Sequence, residues 1–311
     1  MVFGYRVDWS TSVAVAVFVA LTTAAIELLV APAVDNLLIT PWVALLIHLG
    51  RDLSGVDAHR WGLAAALAFG LVPVIVRLRW LDLPGSIGAA LVMASAIGLG
   101  GWVWAVPVST FFILTSLLTA WRRVRRVESM RGLSQVMVNG ILPVMVPLVG
   151  FAMNRHQVWF FVYIGGIAAS TADSWASEIG RFSRRSPVSL RSWRRVPGGT
   201  SGAVSALGLL ATWAGGLVIG IVGTMTGNAV MVVVGMVAGV AGSLLDSVIG
   251  ATLQARFRCQ TCGAALEEPH HCGSPAELSS GVSWMDNDVV NLLANATGMA
   301  VALLVFGLES L

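Results

Sequence analysis

The sequence predicts an all-α, polytopic transmembrane protein, and three observations predict it. The 311 residues are 56% hydrophobic and only 11% charged, where a soluble domain carries about 25% charged residues. Apolar windows recur along nearly the whole chain, giving a mean hydropathy of +0.81, and about 20 such residues cross a hydrocarbon core. The 19 basic residues are all Arg, and they gather in a few loops. The lack of Lys excludes a P-loop lysine, a Schiff-base lysine and a kinase-type ion pair in one step.

Taken in order, the expected spans fall at 11–31, 37–50, 61–77, 85–101, 103–121, 134–153, 157–178, 203–223, 228–249 and 287–307, about nine or ten in all. Only Arg6 precedes the first run, Thr11 to Ala31. That run exceeds the roughly 7–15 residues of a signal-peptide core, so it reads as an uncleaved membrane helix. The second window is short and contains Pro41, which suggests a partial or re-entrant segment. The first 80 residues read as extra helices, and 81–311 as a catalytic membrane domain with a Cys/His loop at 255–283.

Arginine placement orients the chain. Arg122, Arg123, Arg125, Arg126 and Arg131 follow the fifth span; Arg181, Arg184, Arg185, Arg191, Arg194 and Arg195 follow the seventh; Arg256 and Arg258 follow the ninth. Two spans separate each of these loops from the next, so all fall on one side, which the positive-inside rule makes cytoplasmic. Many of the 12 Trp, among them Trp80, Trp102, Trp121 and Trp284, lie near expected helix ends, as in interfacial aromatic belts.

On this topology the polar motifs collect at one face. Gln135 and Asn139 open the sixth span, and Asp173, Ser174, Ser177 and Glu178 close the seventh. Pro197 to Gly202 lead into the eighth, Asp246, Ser247 and Gln254 close the ninth, and Asp286, Asn287, Asp288 and Asn291 open the tenth. An Asp at the centre of a span costs roughly 2.5–3.5 kcal/mol on insertion scales, less near an end. Helix-end decorations without a shared purpose would have divided between the two faces.

Carboxylates mixed with amides and hydroxyls make a hard oxygen set suited to Mg²⁺, which takes one or two carboxylates and completes its shell with water and phosphate. No His lies in these motifs, which argues against catalytic zinc and an imidazole base. The run Gly198, Gly199, Thr200, Ser201 reads as a phosphate-cradling loop entering a helix N-terminus. Arg122 and Arg123 lie where a lipid phosphate would sit, or serve only as a topology signal. All three Cys fall between Cys259 and Cys272, so no disulfide framework is expected. Cys259, Cys262, His271 and Cys272 have zinc-like spacing; a reduced loop without metal is the alternative.

The runs FFILTSLLTAW, QVMVNG, TADSWASEIG, VPGGTSGAVSALG, GSLLDSVIGATLQ, the CxxC…HHCG loop and WMDNDVVN follow one another over residues 111–291. In that order they resemble the integral-membrane family, long filed as a domain of unknown function, that includes the plant phytyl-phosphate kinase of tocopherol synthesis. The chain departs from that family at Ser174, where Thr is usual, and in using Arg where Lys often follows the TSLLT run. The resemblance implies Mg²⁺-dependent phosphoryl transfer from a nucleoside triphosphate, CTP on family analogy, to a phytyl or polyprenyl monophosphate. The implied setting is the cytoplasmic face of the cytoplasmic membrane, with lipid and nucleotide as partners and no nucleic acid.

In the expected site, Asp173, Asp246 and one of Asp286 or Asp288 hold Mg²⁺, and Glu178 is a further ligand or a partner to an Arg. Gly198 to Ser201 cradle donor phosphates, while Asn139, Asn287 and Asn291 orient oxygens, with Ser174, Ser177, Ser247 and Gln254 lining the site. A transporter using the same acids as relays and a CTP-dependent lipid nucleotidyltransferase are the rival readings.

Overall fold

The computed structural model describes residues 8–30, 35–50, 53–123, 132–153 and 156–309. Among them, eight segments are long and apolar enough to cross a membrane: Trp9–Leu29 (α1), Gly55–Arg77, Leu83–Gly100, Trp102–Trp121, Leu133–Met153 (α7), Ala206–Thr226, Met231–Thr252 (α10) and Asn287–Glu309 (α11). The protein is an integral, multi-pass, all-α membrane protein.

Two expected spans differ from these eight for physical reasons. Helix α2 (Asp35–Gly50) has 16 residues and runs unbroken through Pro41, so proline does not interrupt it; it is simply shorter. Helix α8 (His156–Gly180) is the longest at 25 residues, but Gln157, Asp173, Ser174, Ser177 and Glu178 lower its hydropathy.

Other boundaries are set by caps and glycines. The third span is two pieces, α3 (Gly55–Gly70) and α4 (Val72–Arg77), broken where Pro73 opens the second. Ser54 caps α3 by accepting the Asp57 N–H at 3.1 Å, and Asp82 caps α5 (Leu83–Ser95) by accepting that of Gly85 at 2.7 Å. Such acceptors satisfy amides that have no partner within the helix. A π-helical turn, Ala96–Gly100, continues α5 and stops at Gly101, whose φ is 98°. Helix α6 (Trp102–Arg123) follows.

The chain forms two compact units, Met1–Ser116 with Ala120–Phe160 and Leu117–Thr119 with Phe161–Leu311. The division falls near residue 160. In the first unit, the buried Trp61 packs its ring against Phe18, centroids 4.9 Å apart, and towards Phe151 at 6.1 Å. Leu46, Ala65, Ala68, Ala90, Ala94, Leu99 and Leu148 are buried in the same core.

The second unit packs helices through small residues. Its members are α8 from Phe161 onward, α9 (Ala206–Gly223), α10 and α11. A methyl group placed on Gly235 of α10 would sit 2.5 Å from the Gly216 carbonyl oxygen of α9, and one on Gly242 would sit 2.5 Å from Ala169 Cβ of α8. One on Gly298 of α11 would meet the Gly165 carbonyl oxygen of α8, also at 2.5 Å. Without a hydrophobic driving force between helices in lipid, such close backbone approach supplies much of the association. Buried hydroxyls add polar links: Ser170 donates to Asn295 Oδ1 at 2.6 Å, and the Thr212 and Ser243 hydroxyls lie 3.4 Å apart. The outer faces carry leucines such as Leu210 and Leu304.

Outside the helices, strand β1 (Val188–Ser189) pairs antiparallel with β2 (Ala203–Val204). A three-stranded sheet of order β4-β3-β7 joins β4 (Ala265–Leu266), β3 (Arg256–Arg258) and β7 (Glu277–Ser280), and a hairpin pairs β5 (His270–His271) with β6 (Ser274–Pro275).

Candidate functional site

Successive helices of the second unit alternate in direction, because a single 3₁₀ turn, Thr224–Thr226, and a few flanking residues connect α9 to α10. The C-terminal ends of α8 and α10 therefore share one end with the N-terminal ends of α9 and α11. Asp173 lies about seven residues before the end of α8, and Asp246 about six before the end of α10. At 1.5 Å per residue, both carboxylates sit roughly 10 Å below the helix ends.

The two carboxylates are close enough for their charges to repel one another, and Asp246 also feels the charge of Glu267. Glu267 stands directly after β4 and accepts a hydrogen bond from the Ser201 hydroxyl. Acids from α8, from α10 and from the loop of the three-stranded sheet thus act on one another in pairs, Asp173 with Asp246 and Asp246 with Glu267. Among the described residues, the buried Asp246 Oδ2 atom accepts no hydrogen bond and the buried Gln254 Nε2 donates none. Repelling, partly buried carboxylates with an orphaned oxygen suit a hard divalent cation, so the residues present fit Mg²⁺.

Other expected residues divide. Glu178 is buried and accepts from the Thr119 hydroxyl at 3.0 Å. Ser174 and Ser247 are half-buried beside the two aspartates, and Ser177 is exposed. Asp286 is committed to capping α11, its Oδ1 accepting the Val289 N–H at 2.9 Å. Asp288 is half-buried in the first turn, and Asn291 donates to the Asn287 carbonyl at 3.0 Å. Among the described residues, the four aspartates do not gather into a ready three-ligand set; only the thiol and imidazole group does. Two carboxylates with water and phosphate are within the ordinary habit of Mg²⁺. Arg122, Arg123 and Asn139 belong to the first unit, where Asn139 donates to the Gln135 carbonyl at 2.8 Å.

The glycine loop departs from expectation. It does not enter a helix N-terminus: β2 intervenes, and α9 starts at Ala206 behind its own cap, Ser205, which accepts the Gly208 N–H at 3.0 Å. The Thr200 hydroxyl donates to the Pro197 carbonyl at 2.8 Å, and that of Ser201 is taken by Glu267. Gly198 and Gly199 stay exposed, with open space around them. At Gly202, with φ of 69°, a methyl group would collide with the backbone of Ala251, so the loop lies flush against the end of α10.

Arg256 ties the loop in place. Its guanidinium donates to the Ser201 carbonyl at 2.9 Å and to the Gly250 carbonyl at 3.1 Å. Hydrogen bonds from charged donors contribute about 1.5–3 kcal/mol each. Arg256→Ala is expected to lower stability by about 2 kcal/mol and to speed proteolysis between Pro197 and Gly202; an unchanged cleavage rate would rule the clamp out.

The Cys/His segment forms a second cluster. Ligand atoms of Cys259, Cys262, His271 and Cys272 all lie within 4.8 Å of one another. The Cys262 backbone N–H and then the His271 ring hold the Cys259 thiol down at about 6. The hydrogen bond with Cys262 and loss of water push the Cys272 thiol up to about 11.

Sequence reading missed Glu267 and Asn295. Glu267 carries no motif, since an acid in an exposed loop is ordinary. Asn295 could have been found as a lone amide one turn beyond Asn291 within an apolar helix.

A family model described as Integral membrane protein DUF92 matches residues 66–299. An uncharacterized membrane protein of Methanocaldococcus jannaschii is 28% identical over 244 residues, covering 76% of this chain and 90% of its own. Protein PGR of Arabidopsis thaliana is 30% identical over 248 residues, 69% of this chain and 85% of its own. An uncharacterized membrane protein of Synechocystis is 25% identical over 215 residues, 65% and 74% of the two chains. No solved structure matches.

Proposed function

The chain belongs to the DUF92 family of integral membrane proteins, and on that premise we propose that it is a phosphotransferase. It moves the γ-phosphoryl group of a nucleoside triphosphate, CTP by preference, to an isoprenoid monophosphate and yields the diphosphate. The observation that carries this reading is the pair of carboxylates Asp173 and Asp246 at one end of a helical bundle, with the charge of Glu267 acting on Asp246. Beside it stands the arginine-bearing segment 181–195, where Arg184, Arg185, Arg191, Arg194 and Arg195 are exposed. Resemblance to the family of the plant phytyl-phosphate kinase supports the acceptor class.

Mg²⁺ held by Asp173 and Asp246 would neutralise charge on the reacting phosphates. The acceptor phosphate oxygen forms a bond to the γ-phosphorus as the bond to the β–γ bridging oxygen breaks, releasing the nucleoside diphosphate. The acceptor is already ionised at neutral pH, so no general base is required. The arginines neutralise and align the donor chain, the exposed Gly198–Gly199 backbone lies open beside it, and the acceptor tail runs along the apolar helices. Positioning and charge compensation then supply the rate. The arginines of this end support a cytoplasm-facing site by the positive-inside rule.

Purified protein in mixed micelles, given a panel of prenyl monophosphates, Mg²⁺ and labelled CTP, tests the proposal. Label from the γ position is expected in lipid. Label from the α position would mean nucleotidyl transfer instead, and no labelled lipid with any acceptor or nucleotide would overturn the reading.

A further inference from the structure

We infer that the segment between α10 and α11 is a zinc-bound lobe, with one Zn²⁺ held by Cys259, Cys262, His271 and Cys272, and that this ion positions Glu267 over the carboxylate end of the bundle. The acidic-site half of this inference rests on the reading above; the metal half does not.

Two hairpin tips bring the ligands together. In the first, Cys259 closes the β3–β4 turn at both ends: its N–H donates to the Ala264 carbonyl at 2.9 Å, and its carbonyl accepts from the Gly263 N–H at 2.9 Å. Gly263, directly after Cys262, has φ of 73°. The second tip is the two-residue loop Cys272–Gly273 of the β5–β6 hairpin, whose register pairs His271 with Ser274. Both loop residues have positive φ, 53° and 74°, the geometry in which Asn and Gly are usual. A side chain such as Cys is rarely held there, so a role for the thiol is to be sought in what surrounds it.

What surrounds it is a set of four donor atoms. The His271 Nδ1 atom lies 3.4 Å from Cys262 Sγ and 3.2 Å from Cys272 Sγ, and all four ligand atoms fall within 4.8 Å. Bond lengths to Zn²⁺ of about 2.3 Å for sulfur and 2.0–2.1 Å for nitrogen put ligand atoms roughly 3.5–3.8 Å apart at tetrahedral angles. The cluster therefore needs only a slight adjustment to close on the ion. Three thiolates and an imidazole favour zinc over the hard cations that suit the aspartates.

The lobe has little apolar core, with Phe257 and Cys259 its buried members between residues 256 and 280. A metal is the ordinary substitute in so small a unit. Glu267 is the first of the three residues between β4 and β5, so clamping both tips restricts it to the vicinity of Ser201 and Asp246.

Metal content of the full-length protein in detergent, purified under reducing conditions, is the test. About one zinc per chain is expected, with at least a tenfold lower content in Cys262→Ser and Cys272→Ser and full content in Glu267→Gln. Co²⁺ exchanged into the wild-type protein should show intense thiolate-to-metal absorption and a tetrahedral visible band, a readout that survives if the serine variants fail to fold. Metal-free wild-type protein, an intramolecular disulfide in its place, or zinc retained by both serine variants would overturn the metal site. For the positioning half, Glu267→Gln is expected to weaken apparent Mg²⁺ activation several-fold with zinc unchanged; unaltered activation would separate the zinc lobe from the acidic site.

Discussion

Asp246→Asn is expected to reduce γ-phosphoryl transfer about a hundredfold or more while leaving the melting temperature unchanged or raised. The two halves of that result follow from one piece of geometry. Asp246 stands within reach of the charges of Asp173 and Glu267, and its Oδ2 is buried without a hydrogen bond. An arrangement of this kind is unfavourable for folding. An amide of the same shape removes the repulsion, but it gives up the charge that would hold a divalent cation. Loss of activity with retained or improved stability is the mark of a group kept for its chemistry. Initial rates with γ-labelled CTP, read against thermal unfolding in the same detergent, decide it. Activity within about twofold of wild type would remove Asp246 from the site, and a collapse in melting temperature would make it structural.

Gly235→Ala is expected to destabilise the second unit by about 3 kcal/mol or more and to leave little folded protein in the membrane. On an open helix the same change would stabilise by up to about 1 kcal/mol, through helix propensity and a less flexible unfolded chain. The sign reverses here because of what the methyl group meets. It would lie 2.5 Å from the Gly216 carbonyl oxygen and 2.5 Å from both Cα and N of Gly220. These obstacles are backbone atoms, so no side chain can rotate away; α9 and α10 must separate. Gly307 on α11 has nothing within 4 Å of a built methyl, and Gly307→Ala should be neutral or slightly stabilising. Yield of monodisperse protein and its melting temperature distinguish the two variants, and equal behaviour would refute close packing of α9 on α10.

The hydropathy windows and the arginine loops are read directly from composition, because lipid leaves the backbone few alternatives to a helix. That is why the spans were legible to within a few residues. Alternation of direction then put Asp173, Asp246 and the start of α11 at one end, which needed no knowledge of packing. What escaped notice depends on tertiary contact. Pro197 to Gly202 has the composition of an anion-binding loop, yet its hydroxyls are taken by Pro197 and Glu267 and its last glycine is fixed by Ala251. Glu267 acquires meaning only because the lobe bends it back towards α10. The glycines of α9 and α10 read as unremarkable membrane residues until Gly216 and Gly235 are seen to touch.

The far end of the second unit carries its own ties. There Asn228 donates to Glu309 at 2.7 Å, joining the α9–α10 connection to the last helical residue of α11. Ile164, Gly223 and Met231 meet just inside, where a methyl group on Gly223 would lie 3.1 Å from Met231 and 3.2 Å from Ile164. Below them α8 and α11 touch through Gly165 and Gly298. Helices α8, α9, α10 and α11 are therefore tied together at the end opposite Asp173 and Asp246 by contacts of their own.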